Sequence, residues 1–181
     1  MRYRRAIVPG ATYFFTLVTF ERAPIFASAK NADLWHRAMT RIQTKRPVTV
    51  EAEVILPDHI HMIWSLPEGD ANYQTRIRLA KAAFTKELAM PRSQTIANES
   101  RASKGERDVW QRRYWEHVIR DNRDFTAHVD YIHFNPVKHG FVAHPKDWPH
   151  STFGDWVARG EYDGGWRVDH VPQLRNEIGR E

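Results

Sequence analysis

The chain contains no cysteine. Disulfides and thiolate metal sites are therefore excluded, and a bound metal has to draw on histidine, carboxylate, amide or water. No apolar run approaches the length of a membrane span. Met1-Arg2-Tyr3-Arg4-Arg5 leads into a strand-like pattern rather than a signal-peptide core, so a cytoplasmic protein is expected. Acidic residues are the scarcer charge: 22 Asp and Glu stand against 27 Lys and Arg, a net +5 with a pI near 9.6. Such a field favours polyanions such as nucleic acid without requiring them. What is plentiful is apolar: 41% hydrophobic residues and 12% aromatics over 181 residues, enough for one domain with a substantial core.

Taken in order, residues 11–20 (ATYFFTLVTF) are β-branched and aromatic on both faces and read as a central strand. Ser28 or Asn31 can cap a helix through Trp35, Ala38, Met39 and Ile42, which Pro47 ends. Val48, Val50, Ala52, Val54 and Leu56 alternate with Thr49, Glu51, Glu53 and Ile55, the mark of a half-buried strand. Pro57-Asp58 turns the chain into a third strand. A second helix over 71–90 buries Tyr73, Ile77, Ala80, Phe84 and Leu88 and leaves Arg76, Arg78, Lys81 and Lys86 on its surface. Residues 91–108 read as a loop, 109–118 (VWQRRYWEHV) as a fourth strand, and Asp121 or Asn122 as the cap of a third helix. Strand, helix, strand, strand, helix, strand is the order of an α+β, ferredoxin-like sandwich, an antiparallel sheet with two helices on one face. The other face is then open for a ligand. Residues 1–160 form the domain and 161–181 a partly ordered tail.

Two features stand on that frame. In the third strand His59 and His61 share the face opposite Ile60, Met62 and Trp64, so two imidazoles sit side by side, spaced to hold one metal ion. Ten histidines in the chain also make such a pair an ordinary coincidence. On the third helix Asp124, His128, Tyr131 and Asn135 fall within about 60° of arc, a polar stripe apart from the apolar Phe125, Val129 and Ile132. On spacing alone the better reading of Tyr131 is an amphipathic packing residue with its hydroxyl in water. Together the two features suggest a chemistry. A phenol with pKa near 10 attacks a phosphodiester poorly unless a divalent cation neutralises the developing charge. Asn135, one turn beyond Tyr131, offers an amide oxygen suited to a hard cation as third ligand. Pro136 disfavours helical geometry at Asn135 and places it at or past the helix end.

The segments YFFTLVTFERAPIF, VILPDHIHMIWSLPEGD, WQRRYWEHVIRDNRDFTAHVDYIHFNPVKHGFV and DWPHSTF together resemble the REP-associated tyrosine transposases. These belong to the superfamily of HUH single-strand transposases, HUH denoting His-hydrophobic-His. The resemblance covers nearly the whole chain to about residue 160. It implies a metal-dependent single-stranded DNA endonuclease and strand transferase acting at REP-type hairpins through a 5′-phosphotyrosine. Tyr131 matches the nucleophile, His59 and His61 the metal pair, and Asn135 the helix position of the third ligand, with Mg2+ or Mn2+ as cofactor. Arg2, Arg4, Arg5, Arg22, Arg112 and Arg113 are DNA-contact candidates on charge alone. A monomer is expected, with a dimer as the alternative, in the bacterial cytoplasm at the nucleoid. The competing reading is a hairpin-binding regulatory protein without cleavage activity. An RNA phosphoesterase with paired His-x-Thr/Ser motifs finds a single candidate, His150-Ser151-Thr152.

Overall fold

The computed structural model describes residues 6–89, 103, 107–162 and 166. Four strands, β1 (Thr12–Val18), β2 (Thr49–Leu56), β3 (His59–Ser65) and β4 (Trp115–Val118), form one antiparallel sheet in the order β2-β3-β1-β4. Helices α1 (Ala29–Lys45) and α2 (Tyr73–Glu87) cover one face; α3 (Asn122–Lys138) and the short α4 (Phe153–Ala158) complete the order. The α+β sandwich expected from the sequence is what forms.

The first core lies between the sheet and the α1–α2 pair. Tyr13, Phe15 and Leu17 of β1 and Ile60, Met62 and Trp64 of β3 meet Trp35, Ala38 and Met39 of α1 and Tyr73, Ile77, Ala80 and Phe84 of α2. Buried apolar side chains of this size each contribute on the order of 1.5–3 kcal/mol, and this layer holds the domain together. Arg76 is not on the surface as expected. It is 2% exposed and donates to Asp70 at 2.7 Å and to the Pro47 carbonyl at 2.8 Å, tying α2 to the α1–β2 turn. An arginine is tolerated there because its donors find carbonyl and carboxylate acceptors.

The second face of the sheet is not open. Val129, Tyr131 and Ile132 of α3 pack on Phe14, Ala52, Val54, Leu56 and Ile63, forming a second core. The expected single apolar face of β2 is therefore split. A register shift between Val50 and Ala52 inverts the alternation, so Val48 and Val50 face the first core and Ala52, Val54 and Leu56 the second. The fourth strand is also shorter than the 109–118 expected; Trp110 makes only a bridge to Thr19, and its ring packs on Trp35 and Phe84. Residues 91–102 and 104–106 of the expected loop lie outside the described residues.

Residues 148–156 close the exposed edge of β2. Trp148 and Trp156 donate from Nε1 to the carbonyls of Ile55 (3.0 Å) and Glu51 (2.9 Å), and Ile55 N–H donates to the His150 carbonyl (2.9 Å). Thr152 Oγ1 accepts from Glu53 N–H at 2.9 Å. This segment, which contains His150-Ser151-Thr152, thus serves to cap a strand that would otherwise offer its edge to another chain. Thr152 in turn bonds Nε2 of the fully buried His133 at 2.9 Å, while Tyr162 lies 3.2 Å from Nδ1 and donates to Asp130 at 2.8 Å. Trp166 packs on Phe134, Phe153 and Tyr162, so described residues of the expected tail rest on α3 and α4. No described helix is long and apolar enough to cross a membrane.

Burial, with a smaller contribution from Arg159, pushes the His133 imidazole down to about 3. An unfolded chain takes up that proton near pH 6.5, so between about 6.5 and 3 the unfolded state binds more protons and stability falls with pH. The loss from this group is up to about 1.4 kcal/mol per pH unit, and burial of His128 acts in the same direction. Urea denaturation between about pH 7 and pH 5 is expected to show this decline, with a shallower slope in His133→Gln.

Candidate functional site

His59 and His61 lie on β3 opposite Val18 and Thr16 of β1 and opposite Leu56 and Val54 of β2, on the face that α3 covers. Rather than facing an open surface they are 1% and 0% exposed. Their ring centroids are 4.8 Å apart and nearly perpendicular. Each ring is held through Nδ1: His61 against the Thr16 hydroxyl at 2.9 Å, and His59 against the Asp58 carboxylate at 2.6 Å. Arg22 donates to the other Asp58 oxygen at 3.0 Å. Burial pushes the Asp58 carboxyl up, but hydrogen bonds and charge from His59 and Arg22 outweigh it and hold it below the usual carboxylate range. A proton on each Nδ1 leaves the lone pair on Nε2, the tautomer a metal-ligating histidine needs.

Helix α3 brings the second half. Asp121 caps it, its side chain accepting from Asp124 N–H at 2.8 Å. The polar stripe faces the sheet, not the solvent: Asp124, His128, Tyr131 and Asn135 are 8%, 2%, 1% and 0% exposed. The Tyr131 ring lies 5.1 Å from that of His61, and the His139 ring 5.4 Å from that of His59. Asn135 falls midway between Tyr131 and His139 on the helix, four residues from each, and so lies over the histidine pair. The two halves meet. Pro136 does not end the helix before this point. The helix runs to Lys138, and His139 N–H still reaches the Asn135 carbonyl at 3.0 Å. Proline removes one N–H from the ladder, a loss that packing and the helix cap override here.

The Asn135 side chain is the unusual group. Both amide atoms are buried and neither has a hydrogen-bond partner among the described residues. Buried amides are nearly always paired, and an exception calls for a ligand or another compensation. Two imidazoles beside an amide oxygen are donors suited to a divalent cation, so the residues present fit such an ion. Sequence reasoning missed Lys138. Its Nζ donates to the Tyr131 hydroxyl at 3.4 Å and sits 4.9 Å from the ring centroid. The signal was available, since seven residues are two helical turns and place both side chains on one side.

A neighbouring cluster also has metal-ligating side chains. Ligand atoms of His117, Asp124 and His128 lie within 4.8 Å of one another. Their protons are committed, however. His117 Nε2 bonds the Asp124 carboxylate at 2.8 Å, Arg120 reaches it from Nε and Nη2 at 3.0 and 3.3 Å, and His128 Nδ1 bonds the Asp124 carbonyl at 2.8 Å. Burial pushes Asp124 up, but Arg120 and His117 outweigh it and hold it well below the carboxylate range. The cluster is an ion-pair network joining β4 to α3. Phe14 links it to the site, its ring 4.9 Å from His128, 5.5 Å from His61 and 6.0 Å from Tyr131.

The arginine candidates scatter. Arg22 supports Asp58, whereas Arg112 lines a basic groove of about 520 Å³ with Arg78, Lys81 and Arg107 along α2. Arg113 is exposed before β4, and Arg2, Arg4 and Arg5 lie outside the described residues.

No family model matches the sequence. Individual proteins do. The REP-associated tyrosine transposase of Escherichia coli K12 is 40% identical over 167 residues, 92% of this chain and 91% of its own length. A putative REP-associated tyrosine transposase of Haemophilus influenzae is 41% identical over 176 residues, 97% of this chain and 98% of its own length. Among solved structures, a REP-associated tyrosine transposase bound to a REP hairpin superposes with a TM-score of 0.77 at 38% identity, covering 94% of this chain and 93% of that one. The chain belongs to the REP-associated tyrosine transposases. It is thus a member of a family of DNA-cleaving enzymes.

The unpaired Asn135 amide has a consequence for this transposase that needs no DNA. A buried amide without partners costs on the order of 1–3 kcal/mol, so Asn135→Leu, apolar and similar in volume, is expected to raise stability by about that much in chelator-treated protein. Urea denaturation in EDTA measures it.

Proposed function

We propose that this protein is a metal-dependent single-stranded DNA endonuclease and strand transferase acting at REP-type hairpins, with Tyr131 as nucleophile. The observation that carries the reading is Tyr131 seated against His61, with Asn135 one turn further along the same helix. His59, His61 and Asn135 would hold the ion, Mg2+ or Mn2+. When bound, that ion would polarise a non-bridging phosphate oxygen and neutralise charge that develops on it.

The remaining work falls to the chain. Tyr131 gives up its phenolic proton to solvent as its oxygen bonds the phosphorus. The bond from phosphorus to the 3′-oxygen breaks, and that oxygen takes a proton and departs as a 3′-hydroxyl. The DNA 5′-phosphate is left joined to Tyr131. Joining runs in reverse: a 3′-hydroxyl attacks the phosphotyrosine and the tyrosyl oxygen leaves. The Lys138 ammonium, held at that oxygen, stabilises its negative charge in both directions. Asp58 and Thr16 keep the imidazoles oriented. Arg2, Arg4, Arg5, Arg22, Arg112 and Arg113 are the proposed phosphate contacts, Arg22 acting also through Asp58. The protein works as a monomer in the bacterial cytoplasm, at the nucleoid.

Hairpin binding without cleavage is the second reading, and the 1% exposure of Tyr131 is what favours it. One experiment separates the two. A single-stranded oligonucleotide bearing a REP-type hairpin is incubated with protein and Mn2+ or Mg2+, and an SDS-resistant protein–DNA adduct is scored. Wild type is expected to form it, Tyr131→Phe to lose it, and His59→Ala to slow it by about 10²–10³. Adduct formation by Tyr131→Phe at the wild-type rate overturns the assignment, and tight hairpin binding with no adduct under either metal favours the second reading. Mn2+ should also raise the melting temperature of wild type but not of Asn135→Leu, a readout independent of DNA.

A further inference from the structure

The last turn of α3 ends in a tight cap. His139 is its final half-helical residue, Gly140 follows at φ +71°, and Gly140 N–H and Phe141 N–H return to the carbonyls of Val137 and Pro136, each at 2.9 Å. This is the double hydrogen-bond pattern of a Schellman motif, which only a residue tolerant of left-handed geometry completes. In such a cap the residue after the glycine ordinarily folds back onto the last helical turn. Phe141 does so only in part. It is 46% exposed and is the one aromatic among the exposed large hydrophobics of the described residues.

Phe141 is nevertheless fixed in place. Its ring stacks on His139 at 5.8 Å and 20° and on Trp148 at 5.4 Å and 26°. Trp148 is itself pinned by its bond to the Ile55 carbonyl. At the other end His139 meets His59 at 5.4 Å. A ladder of rings therefore leads from the metal-site candidate to the surface.

We propose that Phe141, flanked by His139 and Trp148, is a stacking platform for an unpaired nucleobase of the DNA strand near the scissile phosphate. The inference rests on the single-strand DNA reading above and adds where a base is received. Exposed aromatic faces suit unpaired bases, because every base presents a π-face. A ring already fixed by two neighbours, with nearly half its surface uncovered, loses little freedom when a base stacks on that surface. One half-exposed phenyl ring is far too small for a stable protein interface, which needs about 1,000 Å² in total. A base matches it in size and shape.

The test uses full-length protein and a single-stranded oligonucleotide with a REP-type hairpin and unpaired flanks, with an abasic nucleotide placed in turn at each flank position. Removing the stacked base should weaken binding to wild type about tenfold at one or two positions. Phe141→Ala should weaken binding of the intact oligonucleotide by a similar factor, lose sensitivity to the abasic nucleotide at those positions, and keep the wild-type melting temperature. Phe141→Trp should restore both affinity and sensitivity. Unchanged affinity in Phe141→Ala overturns the platform, as does a loss that persists equally on every abasic oligonucleotide. The two readings fail separately: a wild-type Tyr131 adduct with an indifferent Phe141→Ala sinks the platform alone, and absence of any adduct sinks the cleavage reading on which it rests.

Discussion

The packing of α3 across the histidine face of the sheet is the contact on which the candidate site depends. Neither half of the site is complete alone. The sheet supplies two imidazoles and their Nδ1 partners, and the helix supplies a phenol, an amide and an ammonium. They meet because Val129 and Ile132, on either side of Tyr131, bury themselves against Phe14, Val54, Leu56 and Ile63. The hydrophobic effect is not directional, and it alone would not set the helix's rotation. The Asp124 network does that, fixing the helix's first turn to β4 through His117 and to the connection before it through Arg120. Apolar burial brings the helix down and an ion-pair network sets its rotation, so the polar stripe falls on the histidines.

The polar groups of this second core divide by what they lack. His61, His59, Asp124 and His133 each have an acceptor or donor at hydrogen-bond distance, so their burial costs little net free energy. Asn135 does not, and in sequence it sits midway between Tyr131 and the C-cap residue His139, whose rings meet the histidine pair. Leaving that amide bare places a destabilising group at the candidate site itself. Strain and unsatisfied polarity kept at a functional position, and compensated by the surrounding packing, are how sites stay preorganised.

Much of this was legible in the sequence, and the misreadings have physical causes. The strand and helix order followed from period two against period 3.6, and it was right. The β2 alternation failed because a bulge carries no hydropathy signature: Val48 to Leu56 reads as one unbroken apolar phase although the backbone inverts it between Val50 and Ala52. Polarity such as that of the Asp124, His128, Tyr131 and Asn135 stripe ordinarily means exposure, yet the stripe is buried. That rule lapses where polar side chains satisfy one another, as Asp124 does with His117, Arg120 and His128. For the same reason Arg76 reads as a surface cation and is buried. Lys138 and His139 were passed over because they lie beyond Pro136, where the helix was expected to stop.

That expectation hides the most economical feature of the chain. Residues 135–141, Asn-Pro-Val-Lys-His-Gly-Phe, place an amide over the histidines, an ammonium on the phenol, an imidazole against His59 and a phenyl ring at the surface. One helical turn and one cap set all four. Proline stiffens the turn by fixing its own φ, and glycine reverses the backbone where a side chain would strain it. Lengthening the segment by one residue would rotate everything beyond it by about 100° and pull the four groups apart. The segment's specificity as a motif is therefore geometric: chemistry asks for the polar residues, while proline and glycine hold them in step with a strand seventy-odd residues earlier.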